Sequence, residues 1–209
     1  MLAERGAQVW AIGRRQEALH DLATRSDRLR PFRVDLSDDE QVAALGRALA
    51  AEGDVDILVH AAAMITLGRY TEAPVDGLDA HYRTNVRAPY VLTQTLLPQL
   101  SARAHIVFLN SSAGLAARAG IVQYAASKHA LKALADSLRE ELHPSGRRVL
   151  NVFAGRTATP MQAAMLQAEG RPYDPGRLID PVELAVLIVT ALETESMEIK
   201  ELNVRPRVE

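Results

Sequence analysis

Cysteine is absent from the 209 residues, so no disulfide can form, and any metal site would have to be built from His and carboxylates. That absence fits a reducing compartment. Long apolar runs are absent too: the longest uncharged one, residues 184–192, falls far short of a membrane span, and the opening MLAERG lacks a signal peptide's apolar core. Neither sign of charge dominates. The 24 Lys and Arg and 26 Asp and Glu are mixed along the chain, and no basic cluster could track a phosphate backbone. Nucleic acid and membrane are therefore set aside as partners, and a cytoplasmic protein is expected. Repeats, low-complexity tracts and Pro/Gly/Ser linkers are also missing, which predicts one domain, 1–209, whose 48% hydrophobic residues can fill a core.

What the sequence does contain is alternation. Strand-like apolar runs at residues 8–12, 31–34, 56–60, 105–110, 148–153 and 197–204 are separated by helix-period segments at 16–24, 39–51, 75–100, 122–142 and 181–192. This order predicts an α/β fold with a doubly wound, Rossmann-like parallel sheet. Ser37 ahead of Asp38, Asp39 and Glu40 reads as a capping box, and Asp180 before Pro181 as a helix start. The beginning departs from the pattern. Residues 1–6 read as the tail of an amphipathic helix, so the first strand and phosphate-binding turn that should precede it have no counterpart.

The run Ser111, Ser112, Ala113, Gly114 and, after it, Tyr124, Ala125, Ala126, Ser127, Lys128 carries the strongest chemical signal, with Asn85 on an earlier helix. Tyr124 and Lys128 are four apart and so share one helix face. A phenol with its reference pKa of ~10 is a poor base at neutral pH, and a cation must help it. Two unit charges ~4 Å apart at an effective dielectric of ~20 interact by about 4 kcal/mol, enough to bring a phenol near neutrality. The same pair could meet by chance on an amphipathic helix; the surrounding residues favour chemistry.

Here the sequence resembles the short-chain dehydrogenase/reductase family over nearly its whole length. Tyr124-Ala-Ala-Ser-Lys128 matches the family's Tyr-x-x-x-Lys signature, and Ser111 lies thirteen residues earlier. Ser112 competes with Ser111, which is preferred because Gly114 follows it at the family's spacing. Asn85, in Tyr82-Arg83-Thr84-Asn85-Val86, matches the family's helix asparagine, whose carbonyl holds a water linking the lysine to solvent. The resemblance implies that Tyr124 exchanges a proton with the substrate oxygen held by Ser111, while a nicotinamide exchanges hydride at the carbon. Lys128 would depress the tyrosine pKa and bond the nicotinamide ribose, and Asn85 would support the proton relay. No metal enters this reading.

For the cofactor, the resemblance points to Arg14, Asp35, Ala61, Ala62, Tyr124, Lys128, Gly155 and Thr159. Asp35 matches the Asp that meets the adenine, but reads equally well as a helix-leading acid beside Ser37. Arg14 and Arg15 follow the strand at 8–12 where NAD-preferring members carry an acid; Gly13 stands in its place, which favours NADP over NAD. Ala154-Gly155 replaces the family's Pro-Gly, and Thr159 would meet the carboxamide. The family's Asn-Asn-Ala-Gly is here His60-Ala61-Ala62-Ala63, with His60 read as a structural histidine at a strand end. The Gly-rich phosphate loop is lacking, which raises the expectation of a misplaced start, a gap in the sheet and weak dinucleotide binding.

Two functions stand against each other: an NADP-dependent oxidoreductase interconverting a carbonyl and a secondary alcohol, and a non-catalytic relative acting as a binding or dimerising subunit. The intact Ser, Tyr, Lys and Asn set favours the first. A small-molecule substrate and a homodimer or homotetramer are implied by the resemblance, with Ala130, Leu134 and Leu138 marking a face suited to helix pairing. Met161, Met165 and Leu166 follow Thr159, either lining a substrate pocket or forming a plain amphipathic helix.

Overall fold

A computed structural model describes residues 1–207. The chain alternates β1 (Val9–Gly13), α1 (Gln16–Ala23), β2 (Leu29–Arg33), α2 (Asp39–Ala50), β3 (Val55–His60), α3 (Val75–Tyr82), α4 (Ala88–Leu96), β4 (Leu100–Ser111), α5 (Val122–Leu142), β5 (Arg148–Ala154), α6 (Pro160–Ala168), α7 (Pro181–Leu192) and β6 (Glu201–Val204). All strand pairings are parallel, with registers such as Val9↔Leu29 and Ser111↔Ala154. This is the Rossmann-like α/β architecture that the alternation predicts.

The strands form two separate sheets, β1-β2 and β3-β4-β5-β6. The gap expected from the sequence is thus present: β1 and β3 share no hydrogen bonds. One layer spans it. Trp10 and Ile12 of β1, Phe32 of β2 and Leu58 of β3 all pack on the cluster that α2 and α4 build from Val42, Leu45, Leu49, Ala88, Leu92 and Leu96. On the uncovered side Val59 of β3 remains 43% exposed, as suits an edge strand.

The core proper lies on β4 and β5. Ile106, Val107, Val149, Val152 and Phe153 are fully buried because helices cover both faces, which is why these strands read as near-continuous apolar runs. Leu131, Ala135 and Leu142 of α5 seal one face, and Leu184 and Ala191 of α7 the other.

Several boundaries differ from the pattern. The helix expected over 75–100 runs through four segments, α3, a π-helical turn at Arg83–Arg87, α4 and a 3₁₀ turn at Leu97–Gln99. Pro89, in the first turn of α4, lacks the N–H that would bond a carbonyl of the π turn behind it, and Pro98 opens the 3₁₀ turn. The cap of α2 is Asp38, whose carboxylate accepts from the N–H groups of Glu40 and Gln41 at 2.9 and 3.1 Å; Ser37 bonds Asp35 instead. Asp180 caps α7 as expected, accepting from Val182 at 2.6 Å. β2 admits Pro31 at its centre because it is an edge strand. β6 occupies only the last four of the eight residues expected.

Candidate active site

The strand ends at the C-terminal edge of the larger sheet place most of the polar groups singled out above. β4 ends at Ser111, and its pairing with Ala154 sets Gly155 and the following loop beside it. α5 begins close by: a Cβ on Gly114 would lie 2.8 Å from both Asn110 Oδ1 and the Lys128 carbonyl, so only glycine lets this turn approach the helix. That contact brings Tyr124 and Lys128 over the strand end. Of the two serines, Ser111 is the one whose hydroxyl acts on the Tyr124 phenol, favouring its ionised form.

Lys128 is 1% exposed, its ammonium 5.8 Å from the centre of the Tyr124 ring and donating to the Leu109 carbonyl at 3.2 Å. Burial governs both groups. Loss of solvent pulls the Lys128 pKa down to about 8 and pushes that of Tyr124 above its ordinary 10.0, the latter opposed by the Ser111 hydroxyl. This is the reverse of the phenol shift expected from the spacing. Desolvation outweighs attraction because the ammonium stands beyond contact distance and spends a donor on Leu109.

Asn85 is fully buried within the π turn. Its Oδ1 accepts from Met64 N–H at 2.8 Å, and its Nδ2 donates to the Met64 carbonyl at 3.0 Å and to Ser127 Oγ at 2.9 Å. The side chain therefore touches the residue before Lys128, not Lys128 itself. Inserted π turns often mark functional sites, and this one delivers the amide to the loop after β3.

His81 and Asn110 escaped the sequence reading. His81 is fully buried, four residues before Asn85, with its ring edge-on to Tyr124 at 6.4 Å between centroids. Its Nε2 accepts from Thr66 N–H at 3.2 Å and its Nδ1 donates to Gly77 O at 2.5 Å. Asn110 Oδ1 accepts from Ser111 N–H at 2.8 Å while Nδ2 donates to the Lys128 carbonyl at 3.2 Å, tying strand end to helix. The four-residue step from His81 to Asn85 was the available signal. His60 is buried, bonded through Nε2 to Thr93 Oγ1 at 2.8 Å and stacked 4.9 Å from Phe108; burial drops its pKa to about 4, and the ring is neutral.

The residues read as cofactor-binding fall in two places. Arg14 and Asp35, at the ends of β1 and β2, line one cavity of about 440 Å³ with Arg33, Val34 and Gln41. Asp35 accepts from Ser37 N–H at 2.9 Å and Oγ at 2.7 Å, and these bonds, with a smaller contribution from the Arg14 charge, hold its pKa below the ordinary 3.8. Both readings of Asp35 hold at once: it shapes a turn and faces the cavity. Ala61 and Ala62 are exposed just past β3. Gly155 lies where a Cβ would meet Pro206 at 3.0 Å and the Val204 carbonyl at 3.2 Å. Thr159 caps α6, accepting from Gln162 N–H at 3.2 Å. Met165 of that helix packs in one buried cluster with Tyr124, Ile121 and Ala113, so α6 covers the phenol.

The short chain dehydrogenase family model matches residues 1–170. The chain belongs to this family. Among its relatives, the short-chain type dehydrogenase/reductase y4eK of Sinorhizobium fredii is 34% identical over 98% of this chain and 84% of its own, and the oxidoreductase UcpA of Escherichia coli 32% identical over 87% and 70%. Solved structures agree. An Escherichia coli short-chain dehydrogenase complexed with NADPH superimposes with a TM-score of 0.87 at 27% identity, covering 98% of this chain and 88% of that one. The Escherichia coli oxidoreductase yciK gives 0.87 at 28% identity, covering 98% and 87%. The protein is thus a member of an oxidoreductase family with relatives that bind a nicotinamide cofactor. Among the described residues, no helix is long and apolar enough to cross a membrane.

Proposed function

We propose that the protein is an NADP-dependent oxidoreductase interconverting a carbonyl and a secondary alcohol, with Tyr124 as proton donor and acceptor. One observation carries this reading: a buried phenol beside the Ser111 strand end with a buried lysine one helical turn along, its ammonium 5.8 Å from the ring centre. The residues present suit a dinucleotide. The cavity at Arg14 and Asp35 offers two guanidinium groups, from Arg14 and Arg33, to a ribose phosphate, which favours NADP over NAD. Ala61, Ala62, Gly155 and Thr159 would hold its other end, with Tyr124 and Lys128 at the ribose. A bound nicotinamide supplies hydride chemistry at the substrate carbon.

This chain's own groups do the rest. Ser111 holds the substrate oxygen beside the phenol, and Tyr124 gives that oxygen its proton in reduction or removes it in oxidation. Burial keeps the phenol protonated, so its proton is present to give, and the approach of a charge at the substrate oxygen must offset its raised pKa. Lys128, with a pKa brought down to about 8, can pass a proton at near-neutral pH as a fully solvated lysine cannot. Asn85 and His81 fix the loop at Met64–Thr66 and the Tyr124 ring. Met165 and the rest of α6 exclude water.

A homodimer or homotetramer is part of the proposal. Ala130, Leu134 and Leu138 are only half-buried on α5, and Tyr82 and Tyr90 are 40% and 51% exposed on α3 and α4. The half-buried face of α5 and the exposed Tyr82 and Tyr90 equally suit the second reading, a dimerising relative without turnover. Reduction of a panel of ketones and aldehydes, followed by loss of NADPH absorbance, separates the two. Tyr124→Phe is expected to lower turnover by about 10²- to 10⁴-fold with NADPH binding largely intact. Full activity in that variant would overturn the assignment.

A further inference from the structure

Three arginines converge on one carboxylate at the end of the helix whose Met165 packs with Tyr124. Arg156, in the loop after β5, donates through one Nη2 to both oxygens of Glu169 at 2.8 and 2.7 Å. Arg118, in the segment between Ser111 and Tyr124, and Arg171, just beyond α6, stand 3.7 Å from the same carboxylate. One negative charge cannot balance three positive ones, so the cluster keeps an excess of two. Its place in the fold is fixed by the chain. Arg156 is two residues past the Ala154 that pairs with Ser111, its carbonyl pinned by Ile179 N–H at 2.9 Å, and Glu169 ends the helix whose Met165 packs with Tyr124.

Two donors in this region have no acceptor. Arg156 Nη1 and Gln162 Nε2, on the stretch that leads from β5 into the covering helix, are buried without a hydrogen-bond partner. A buried N–H left unpaired is costly, and an unpaired guanidinium donor more so, so a small shift that let an acceptor reach Arg156 Nη1 would be favourable. The solvent side of the cluster is open, since the Arg118 and Arg171 side chains are 54% and 60% exposed while those of Arg156 and Glu169 are 21% and 19%. Arginine's fixed fork of donors suits a planar or tetrahedral oxyanion.

We infer that the substrate of this site carries an oxyanion group, a carboxylate or a phosphate monoester, bound by Arg156, Arg118 and Arg171 while its carbonyl or hydroxyl lies at Tyr124. The placement of the carbonyl or hydroxyl at Tyr124 rests on the oxidoreductase reading; the oxyanion site does not. Glu169 is the specificity-setting counter-charge: it holds Arg156 in place and tempers the field the substrate meets. The cluster lies on the side of β4 and β5, whereas Arg14 and Arg33 serve the cavity beyond β1 and β2, so the two positive regions address different groups.

Equilibrium binding tests this without requiring turnover. Calorimetric titration of the chain with 3-phenylpropionate, phenyl phosphate and the uncharged 3-phenylpropionamide is expected to give a preference for the anions of about 10-fold or more. The two anions distinguish carboxylate from phosphate. Arg118→Ala with Arg171→Ala should lower the anion-to-amide ratio, and Glu169→Gln, which keeps an acceptor for Arg156, should raise it. Opposite shifts support the assignment. An equal affinity for anions and amide, or a ratio unmoved by both changes, overturns it. Anion preference without any reduction of oxo acids or their esters by NADPH would overturn the oxidoreductase reading while leaving the anion site standing.

Discussion

Asn85 grips Met64 by both main-chain groups, accepting its N–H at 2.8 Å and donating to its carbonyl at 3.0 Å. The side chain thus completes a piece of backbone pairing for a loop that has no strand beside it. Asn85→Leu removes both bonds and the one to Ser127, leaving polar groups unpaired at about 1 to 3 kcal/mol each where they are buried. Urea denaturation should show a loss of about 2 to 4 kcal/mol, with part of the cost relieved where water reaches the loop. Unchanged stability would mean that Met64 finds other partners.

Lys128 stands for function at the expense of stability. Folding lowers its pKa from 10.5 to about 8, so between those values the folded chain holds fewer protons than the unfolded one and stability rises with pH. Below pH 8 the full penalty of about 3 kcal/mol is present. Lys128→Met should therefore match or exceed the wild type in stability at pH 7 while losing activity. The gap in its favour should narrow as pH climbs toward 10.5. Taking the difference between the two proteins isolates Lys128 from Tyr124, whose raised pKa acts in the opposite direction in alkali.

At the acid end His60 governs. Its pKa of about 4, against an ordinary 6.5, means that the unfolded chain takes up a proton in that window and the folded one does not. Stability present above pH 6.5 is lost as pH falls toward 4, by about 3 kcal/mol in all. His60→Asn should flatten this part of the pH profile, as read by thermal unfolding at pH 4.5, 5.5 and 6.5. The contact with Phe108 would be weakened at every pH, so the slope is the diagnostic quantity rather than the absolute stability.

Arg14 should decide between the two nicotinamide cofactors. Arg14→Glu replaces a guanidinium at the cavity it shares with Asp35 by a like charge to the phosphate. The ratio of kcat/KM for NADPH over NADH is expected to fall by about 10-fold to 100-fold, the value of a charge-assisted hydrogen bond. A ratio that stays put would remove Arg14 from the cofactor site.

Much of this was written in the sequence. The alternation of apolar runs gave the element order because β4 and β5 are buried on both faces and tolerate little else, and the Ser111, Gly114, Tyr124 and Lys128 spacing needs only one strand end and one helix turn to converge. The π turn was hidden because an extra residue shifts the helical phase without leaving a compositional mark; Pro89 was the visible hint. Ser37 and Asp38 are both good caps, and only the backbone decides which carboxylate or hydroxyl reaches Gln41. Four residues of spacing fix a helix face but not how much water is removed, so the direction of the Tyr124 pKa shift is not legible in the spacing.

The divided sheet has a bearing on how the molecule opens. A two-stranded parallel ribbon is marginal by itself, and β1-β2 relies on the α2 and α4 layer for its burial. The chain therefore has unequal halves in cooperativity: amide hydrogens of Trp10 and Ile12 should exchange with solvent through local opening, while those of Val107 and Val152 wait for global unfolding. Equal protection at the four sites in a native-state exchange experiment would show one unit instead of two. In the unequal case, the cavity at Arg14 and Asp35 belongs to the part that loosens first, and a ligand seated there would stabilise that part.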